Sequence, residues 1–514
     1  MTYSCAIATP HVLATAAGQE AVRQGGNAVD AALAAAAVLT VVYPHNTALG
    51  GDLVALIRTP DGRIACVNAT GPAPRGASLA DVAARYGEMP VTGPDTITVP
   101  GVAAGWAALH QAGAALAWRE LFTRAIEHAA ATPVVRGLAE AIADAADLVA
   151  ADPGMREVFS PGGTPLAEGG TLRQEALAGT LAALAVEGVR TLYSGSLGER
   201  LTDGLRRLGS PLDMQDLRSY QAELTTPLSR TFHGHQIHTS PPNTQGVLLL
   251  QALGALAEQQ VGDPLGADAG RLAAIFHHGI LDRTRRLADP RFAEVDVAAL
   301  LDPDRLRDLA QVSSPVAATG HASGDTVAVV TADTDGLAVS LIQSLFHGFG
   351  AGILEPETGI LMHNRGSFFS LSPGSPNALA PGKRPAHTLM PVMATRAERL
   401  AWVNGTMGGK GQPQIHTQLL LRLLGGATPA AAVAAPRWIV GGLEVGQRED
   451  TIALEADVTA QVRASLVATG APLIKLPARS ESTGHAQAIA VHPDGTLEAG
   501  SDPRADGGAV VAAR

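Results

Sequence analysis

Two hydroxyl residues, Thr326 and Ser344, lie at the outer ends of the β-branched runs in DTVAVVTADTDGLAVSLIQS, which flank the turn Thr334-Asp335-Gly336. Runs of this kind about a TDG turn read as a β-hairpin. If Asp333 pairs with Leu337 across a three-residue turn, period-2 alternation places Thr326 directly opposite Ser344 on one face. One hydroxyl could then serve as a nucleophile and the other as its hydrogen-bond partner. The same spacing suits a plain hairpin, with Thr as a strand former and Ser as a polar strand end, so spacing by itself assigns no nucleophile.

Other groupings carry less. His233, His235 and His238 in FHGHQIH offer two imidazoles at i, i+2, a spacing open to a metal. With no Cys, Asp or Glu beside them they read as polar residues of an edge strand. GTMGGKG at residues 405–411 has three residues between its first Gly and Gly409-Lys410, with Gly411 where a phosphate loop needs Ser or Thr, so no nucleotide site is expected. Asn68-Ala69-Thr70 and Asn404-Gly405-Thr406 match the glycosylation pattern and read as loop residues. Neither a metal nor a cofactor is expected.

These residues need a scaffold, and 514 residues suffice for two to four domains or one large α/β body. With 46% hydrophobic and 17% charged residues the composition is globular, and a net charge of -11 leaves no basic surface for nucleic acid or an anionic bilayer. Cys5 and Cys66, the two cysteines, are too few for a disulfide framework or a four-ligand metal site. They fit a reducing compartment. The N-terminus shows no basic region ahead of an apolar one, and the alanine-rich stretch from Val29 to Tyr43 falls short of the ~18–20 residues that span a bilayer. A cytoplasmic protein without a membrane segment is expected.

Along the chain, residues 12–43 read as two helices, the second opened by Asn27 and stopped at Tyr43-Pro44. LVALIRTPDGRIACV reads as a hairpin about Pro60-Asp61-Gly62. Residues 100–310 read as a mostly helical covering layer, interrupted by the strand-like SRTFHGHQIHTS. After Val312 come the Thr326 hairpin, Gly-rich loops, a helix near Gln414 to Leu424 and further strands. Strand pairs between helical layers suggest an α/β sandwich, and the small-residue loop from Pro315 to Gly324 is the natural processing or hinge point.

The segments NAVDAALAAA, VVYPHNTALGGD, TVPGVAAGW, LYSG, TPLSRTFHGHQIHTSPPNTQG, LADPRF, DTVAVVTADTDGLAVS, FGAGILEPETGILMHNRG, PGKRPAHTLMP, NGTMGGKG and SDPR resemble, in order and spacing, those of the γ-glutamyltranspeptidase family of N-terminal-nucleophile hydrolases. The resemblance spans essentially the whole chain. It implies a four-layer αββα sandwich and a precursor that cuts itself between Asp325 and Thr326. Residues 1–325 would form a large chain and residues 326–514 a small one, together making one fold, with a dimer of such heterodimers as an open assembly. Thr326 would be the nucleophile, since a free α-amino group of pKa ~8 can take the proton of its own side-chain hydroxyl through water. Ser344 stands at the family's second Thr and keeps the hydroxyl. Gly408-Gly409 matches the Gly pair whose N–H groups form an oxyanion hole.

Departures from the family bear on the substrate. The carboxylate-clamping Arg of the segment matching residues 67–74 is replaced by Thr70. The positions that hold the α-amino group are Phe346, Arg365 and Phe368, the paired serines are His387-Thr388, and the lid between Asn377 and Lys383 is short. Arg365 could pair with an acidic acyl group lacking an α-ammonium, or with a structural carboxylate instead. The pattern looks like the family's amidohydrolase branch, with its oxamate amidohydrolase and cephalosporin-acylase-like members. The expected function is therefore an autoprocessed threonine amidohydrolase acting on a small acidic amide. A true γ-glutamyltransferase or glutathione hydrolase is the alternative, and an uncut, non-catalytic homologue a third reading that the retained Asp325-Thr326, Ser344 and Gly408-Gly409 disfavour.

Overall fold

Two antiparallel sheets lie face to face. The first begins with β1 (Ser4–Thr9), β2 (Asp52–Arg58), β3 (Ile64–Ala69) and β4 (Glu223–Thr225), and the second with β5 (Leu228–Phe232) and β6 (His235–Thr239). The chain returns to the first sheet as β7 (Asp325–Asp333) and β8 (Ala338–Phe346), then adds β9 (Val392–Arg396), β10 (Arg399–Thr406), β11 (Ala486–Val491) and β12 (Leu497–Ser501) to the second. Finally β13 (Gly508–Ala513) completes the first. The strand orders are β13-β1-β7-β8-β2-β3-β4 and β12-β11-β10-β9-β6-β5, so residues on either side of position 326 contribute to both sheets. This computed structural model describes residues 3–309, 324–442, 448 and 450–514. Of the loop expected to hold the processing point, only Gly324 falls among them.

Strand alternation sorts side chains into layers. Val327, Val329, Val339 and Leu341 face outward onto α1 (Val12–Arg23), α2 (Ala28–Val42) and α3 (Val102–Gly113). Ala328, Val330, Ala338 and Ile342 face inward and meet Met393, Val403 and Ile489 of the second sheet and Leu389 just before it. On that sheet's outer face, Ile237, Val392 and Ala394 pack with α4 (Gly246–Glu258), α5 (Ala269–Arg286) and α6 (Gln412–Leu424). The result is the αββα sandwich. Small inner residues bring the sheets close: a Cβ at Gly405 would lie 2.9 Å from Ala328 Cβ and 3.0 Å from Ile342 Cδ1.

The first two helices form as the sequence suggests. Asn27 Oδ1 accepts from the N–H groups of Val29 and Asp30, and Asn27 N–H donates back to Asp30 Oδ2 at 2.8 Å, a capping box. Asp30 also accepts from Ala115 and Leu116 N–H, which is how a carboxylate can sit in a helix whose every residue is buried. Among the described residues no helix is long and apolar enough to cross a membrane.

Three local expectations change. Asn68 and Asn404 are buried strand residues of β3 and β10, not loop residues, because the apolar alternation runs through them and their neighbours pair on both sides. In the middle of the chain SRTFHGHQIHTS forms β5 and β6 as its pattern suggests, but the covering layer also gives up a further short strand, β4, which extends the first sheet. His235 and His238 lie on β6, one strand in from the edge. His235 stacks on Trp402 at 4.4 Å and His238 Nε2 bonds Thr395 Oγ1 at 3.2 Å, while His233 sits in the hairpin turn with φ +45°. No group of three or more metal-ligating side chains occurs among the described residues.

Candidate active site

The TDG turn places the hydroxyl pair. Asp333 N–H donates to Leu337 O at 2.9 Å, Asp333 Oδ1 accepts from Asp335 and Leu337 N–H at 3.0 Å each, and Gly336 takes φ +90°. From there the ladder runs Ala332↔Ala338 to Val327↔Gln343. The next pair in that register would be Thr326 and Ser344, but the strands bulge here and Asp325 pairs with Phe346. Even so, Thr326 Oγ1 donates to Ser344 Oγ at 2.9 Å in the inner, buried layer.

Ser344 Oγ also donates to Asp325 O at 2.5 Å and accepts from Phe346 N–H at 2.8 Å. A hydroxyl has one proton and two lone pairs. With its proton on the Asp325 carbonyl, Ser344 must take the Thr326 hydroxyl as a donor. Ser344 thus accepts a hydrogen bond from the Thr326 hydroxyl and donates one to the carbonyl of the Asp325–Thr326 peptide at once. Phe346 holds φ +83°, a left-handed conformation that costs a non-Gly residue ~1–3 kcal/mol and clusters at functional sites. Burial pushes the Asp325 carboxyl up to about 6, partly offset by the Gly348 N–H.

Gly408 and Gly409 follow β10 with φ +135° and +48°, and a Cβ at Gly324 would lie 2.9 Å from Gly409 Cα. The Gly pair thus passes beside the approach to residue 326. The loop's carbonyls are tied back: Gly408 O accepts from Gly411 N–H at 2.7 Å, Gly409 O from Gln245 Nε2 at 2.9 Å and Lys410 O from Arg283 Nη1 at 3.0 Å. A Cβ at Gly408 would overlap Ile415 Cδ1, so this position requires glycine for packing as well as for φ.

Arg365 is 1% exposed. Its guanidinium lies 3.9 Å over the Phe346 ring, Phe346 meets Phe368 at 5.4 Å, and Lys410 Nζ lies 5.5 Å from the Phe368 ring. Arg365 Nη1 donates to Thr388 Oγ1 at 3.2 Å, and Nη2 is a buried donor with no hydrogen-bond partner among the described residues. The nearby carboxylate is Asp52, whose Oδ2 is 3.9 Å from Arg365 Nε. Asp52 is already engaged by Gly71 N–H at 2.8 Å and by His387 Nε2 at 2.9 Å. Leu389 N–H donates to His387 Nδ1 at 3.2 Å, so the imidazole proton is on Nε2 and points at Asp52. Burial and the Arg365 charge push the His387 pKa down to about 3. Burial also lowers Arg365, against the pull of Asp52. Asp52 itself is penalised by burial, but His363 and His387 outweigh that and hold it below the usual carboxylate range.

Thr70 is turned away from any carboxylate-clamping role. Its Oγ1 donates to Asn68 Oδ1 at 2.7 Å, and Asn243 Nδ2 donates to it at 3.2 Å. The structure therefore gathers Thr326, Ser344, Phe346, Arg365, Phe368, His387, Thr388 and the Gly pair about one place and leaves Thr70 in a supporting network behind Asp52. Asp52, His363, Asn243 and Gln245 were not singled out from the sequence. The Asp of ALGGD stood in the motif string, but only the fold brings it against residues 365 and 387.

A four-layer αββα sandwich with a buried threonine hydroxyl at the head of a central strand has the architecture of the N-terminal-nucleophile hydrolases. The chain belongs to the gamma-glutamyltranspeptidase family, whose model matches residues 14–512. It is 38% identical over 523 residues to the oxamate amidohydrolase proenzyme of Klebsiella pneumoniae, covering 99% of this chain and 98% of that one. It is 33% identical over 514 residues to the glutathione hydrolase-like YwrD proenzyme of Bacillus subtilis, covering 98% of each. Among solved structures, the cephalosporin acylase of Bacillus halodurans superposes with a TM-score of 0.91 at 31% identity, covering 99% of this chain and 96% of that one.

Proposed function

We propose that the chain is a precursor that cuts itself between Asp325 and Thr326 into residues 1–325 and 326–514, and that Thr326 then hydrolyses a small anionic amide of the oxamate type. The observation that carries the substrate class is the buried Arg365, whose Nη2 has no partner among the described residues and whose guanidinium packs on Phe346, two residues beyond Ser344. A desolvated guanidinium edge beside a nucleophile is a seat for a carboxylate.

In the cleaved enzyme Thr326 Oγ adds to the amide carbonyl carbon while its proton passes to the α-amino group. Gly408 and Gly409 N–H receive the oxyanion. Collapse breaks the C–N bond, and the amine leaves with that proton. Water then adds to the resulting ester in the same way, releasing the acid and restoring the hydroxyl. Oxamate would give oxalate and ammonia. An α-ammonium group would be poorly served in this site: Phe346 and Phe368 present no acid, and their rings already carry Arg365 and Lys410. A buried ammonium without a counter-charge costs several kcal/mol.

The test is a substrate panel on purified, cleaved protein. Oxamate or the monoamide of glutaric acid should give kcat/KM at least ~10-fold above γ-glutamyl-p-nitroanilide. A γ-glutamyl compound as the better substrate would replace this reading with a glutathione hydrolase or γ-glutamyltransferase. The oxyanion assignment has its own test. Gly409→Val, a β-branched residue at φ +48°, should cut turnover ~100-fold or more with a smaller loss of thermal stability, and unchanged turnover in folded protein would remove the loop from the site. Gly408→Val is the poorer probe because of Ile415. We also propose a cytoplasmic site of action, supported by two buried thiols, Cys5 and Cys66, that form no bridge.

A further inference from the structure

Gln245 sits at the entry to α4 and is fully buried. Its side-chain Nε2 donates to Thr388 O at 2.7 Å and to Gly409 O at 2.9 Å. Its Oε1 accepts from Arg283 Nη1 at 3.4 Å, and the same Arg283 nitrogen donates to Lys410 O. One planar amide thus spends both of its protons on two loops that meet nowhere in sequence. One loop carries the Gly pair. The other carries Thr388, whose hydroxyl holds Arg365.

The amide is itself anchored. Asn243 Nδ2 donates to Pro385 O at 2.8 Å, His387 N–H donates to Asn243 O at 2.8 Å, and Thr244 Oγ1 donates to Pro241 O at 2.8 Å. At Gly246 a Cβ would overlap Ser240 O, which packs the start of the helix against the chain before it. Neither end of the bridge can drift without breaking bonds at the other.

We propose that Gln245 is a positioning residue that fixes the distance between the oxyanion loop and the carboxylate seat, and so selects the length of the acyl group. The inference rests on the reading of Gly408-Gly409 and Arg365 given above. An acyl anion of one length can put its carbonyl oxygen at the Gly pair and its carboxylate on Arg365 together. A longer or shorter one must give up one of these partners, and a misplacement of ~1 Å can cost ~100-fold in rate.

The test compares the wild-type full chain, Gln245→Met and Arg365→Ala on oxamate, on the monoamide of glutaric acid and on an uncharged amide of similar size. Met matches the volume of Gln and removes both donors. Gln245→Met should lower kcat/KM on the preferred amide ~100-fold and shrink the preference between the two lengths at least ~10-fold, the second effect being one that general destabilisation would not produce. Should Gln245→Met fail to fold, Gln245→Asn, which keeps an amide but is too short to reach both carbonyls, is read in the same assay with the same expectation. If Arg365→Ala acts as a carboxylate-seat variant while the Gln245 variants keep the wild-type length preference, this inference is wrong and the proposed function stands. If Arg365→Ala leaves anionic and neutral amides equally affected, both fall together.

Discussion

Thr326→Ala protein will run as one uncut chain, while the wild type will yield two fragments, residues 1–325 and 326–514, on denaturing mass measurement. The expectation follows from three hydrogen bonds. In the uncut chain Thr326 Oγ1 donates to Ser344 Oγ, which donates to Asp325 O and accepts from Phe346 N–H. In the proposed cleavage Ser344 would act on both reactants, accepting from the attacking hydroxyl and polarising the carbonyl it attacks. Attack of Thr326 Oγ on the Asp325 carbonyl carbon moves the acyl group from nitrogen to oxygen, and water then hydrolyses that ester, leaving a free amine on Thr326. Without the hydroxyl neither step can occur. Amide hydrolysis should fall on the order of 10⁶-fold, the scale reached when a hydrolase loses its nucleophilic hydroxyl. Thr326→Ser should still be cut, and Ser344→Ala should be cut more slowly than wild type because the carbonyl loses its donor. Uncut wild-type protein with full amidase activity would end the N-terminal-nucleophile reading.

Much of this geometry is within reach of the sequence because it is local. The Asp333–Leu337 turn sets the register over seventeen residues, and period-2 alternation then decides which side chains share a face. The same locality makes the Asn27 cap and the Pro60-Asp61-Gly62 hairpin readable. What alternation does not encode is which strand lies beside which. β1 pairs with β7 and β13, partners from the middle and the far end of the chain, and its six residues SCAIAT are too short and too alanine-rich to stand out from the helix that follows. Asn68 and Asn404 read as loop residues for a related reason. An Asn is unfavourable in an isolated strand, and what places these two there is tertiary: Asn68 Nδ2 donates to Asn243 Oδ1, and Asn404 pairs through its backbone with Val392 and Ala488 on either side. Arg365 shows the limit most clearly. Its type is legible, but its burial, the prior engagement of Asp52 and the open Nη2 are properties of four chain segments meeting, and these decide between a substrate ligand and a structural ion pair.

Arg365→Ala should therefore be cut and folded but selectively poor on anionic amides. Truncating one partner of a buried charge-assisted hydrogen bond costs ~2–4 kcal/mol, or ~30- to 1,000-fold in kcat/KM, and the deficit should be absent for an uncharged amide of similar size. Asp52 tempers the cost to the fold. Its carboxylate keeps the Gly71 N–H and the His387 Nε2 proton, so removal of a guanidinium 3.9 Å away does not leave it bare. Arg365→Lys should recover only part of the activity, because a point charge cannot offer the paired donors of a guanidinium edge and an ammonium would have to leave the Phe346 face to reach a carboxylate. A structural role for Arg365 would show a different pattern, with anionic and neutral substrates falling together and Arg365→Lys rescuing stability and both activities alike. The ratio of anionic to neutral kcat/KM across these variants separates the two, because a damaged fold lowers both rates, whereas a missing carboxylate partner lowers one.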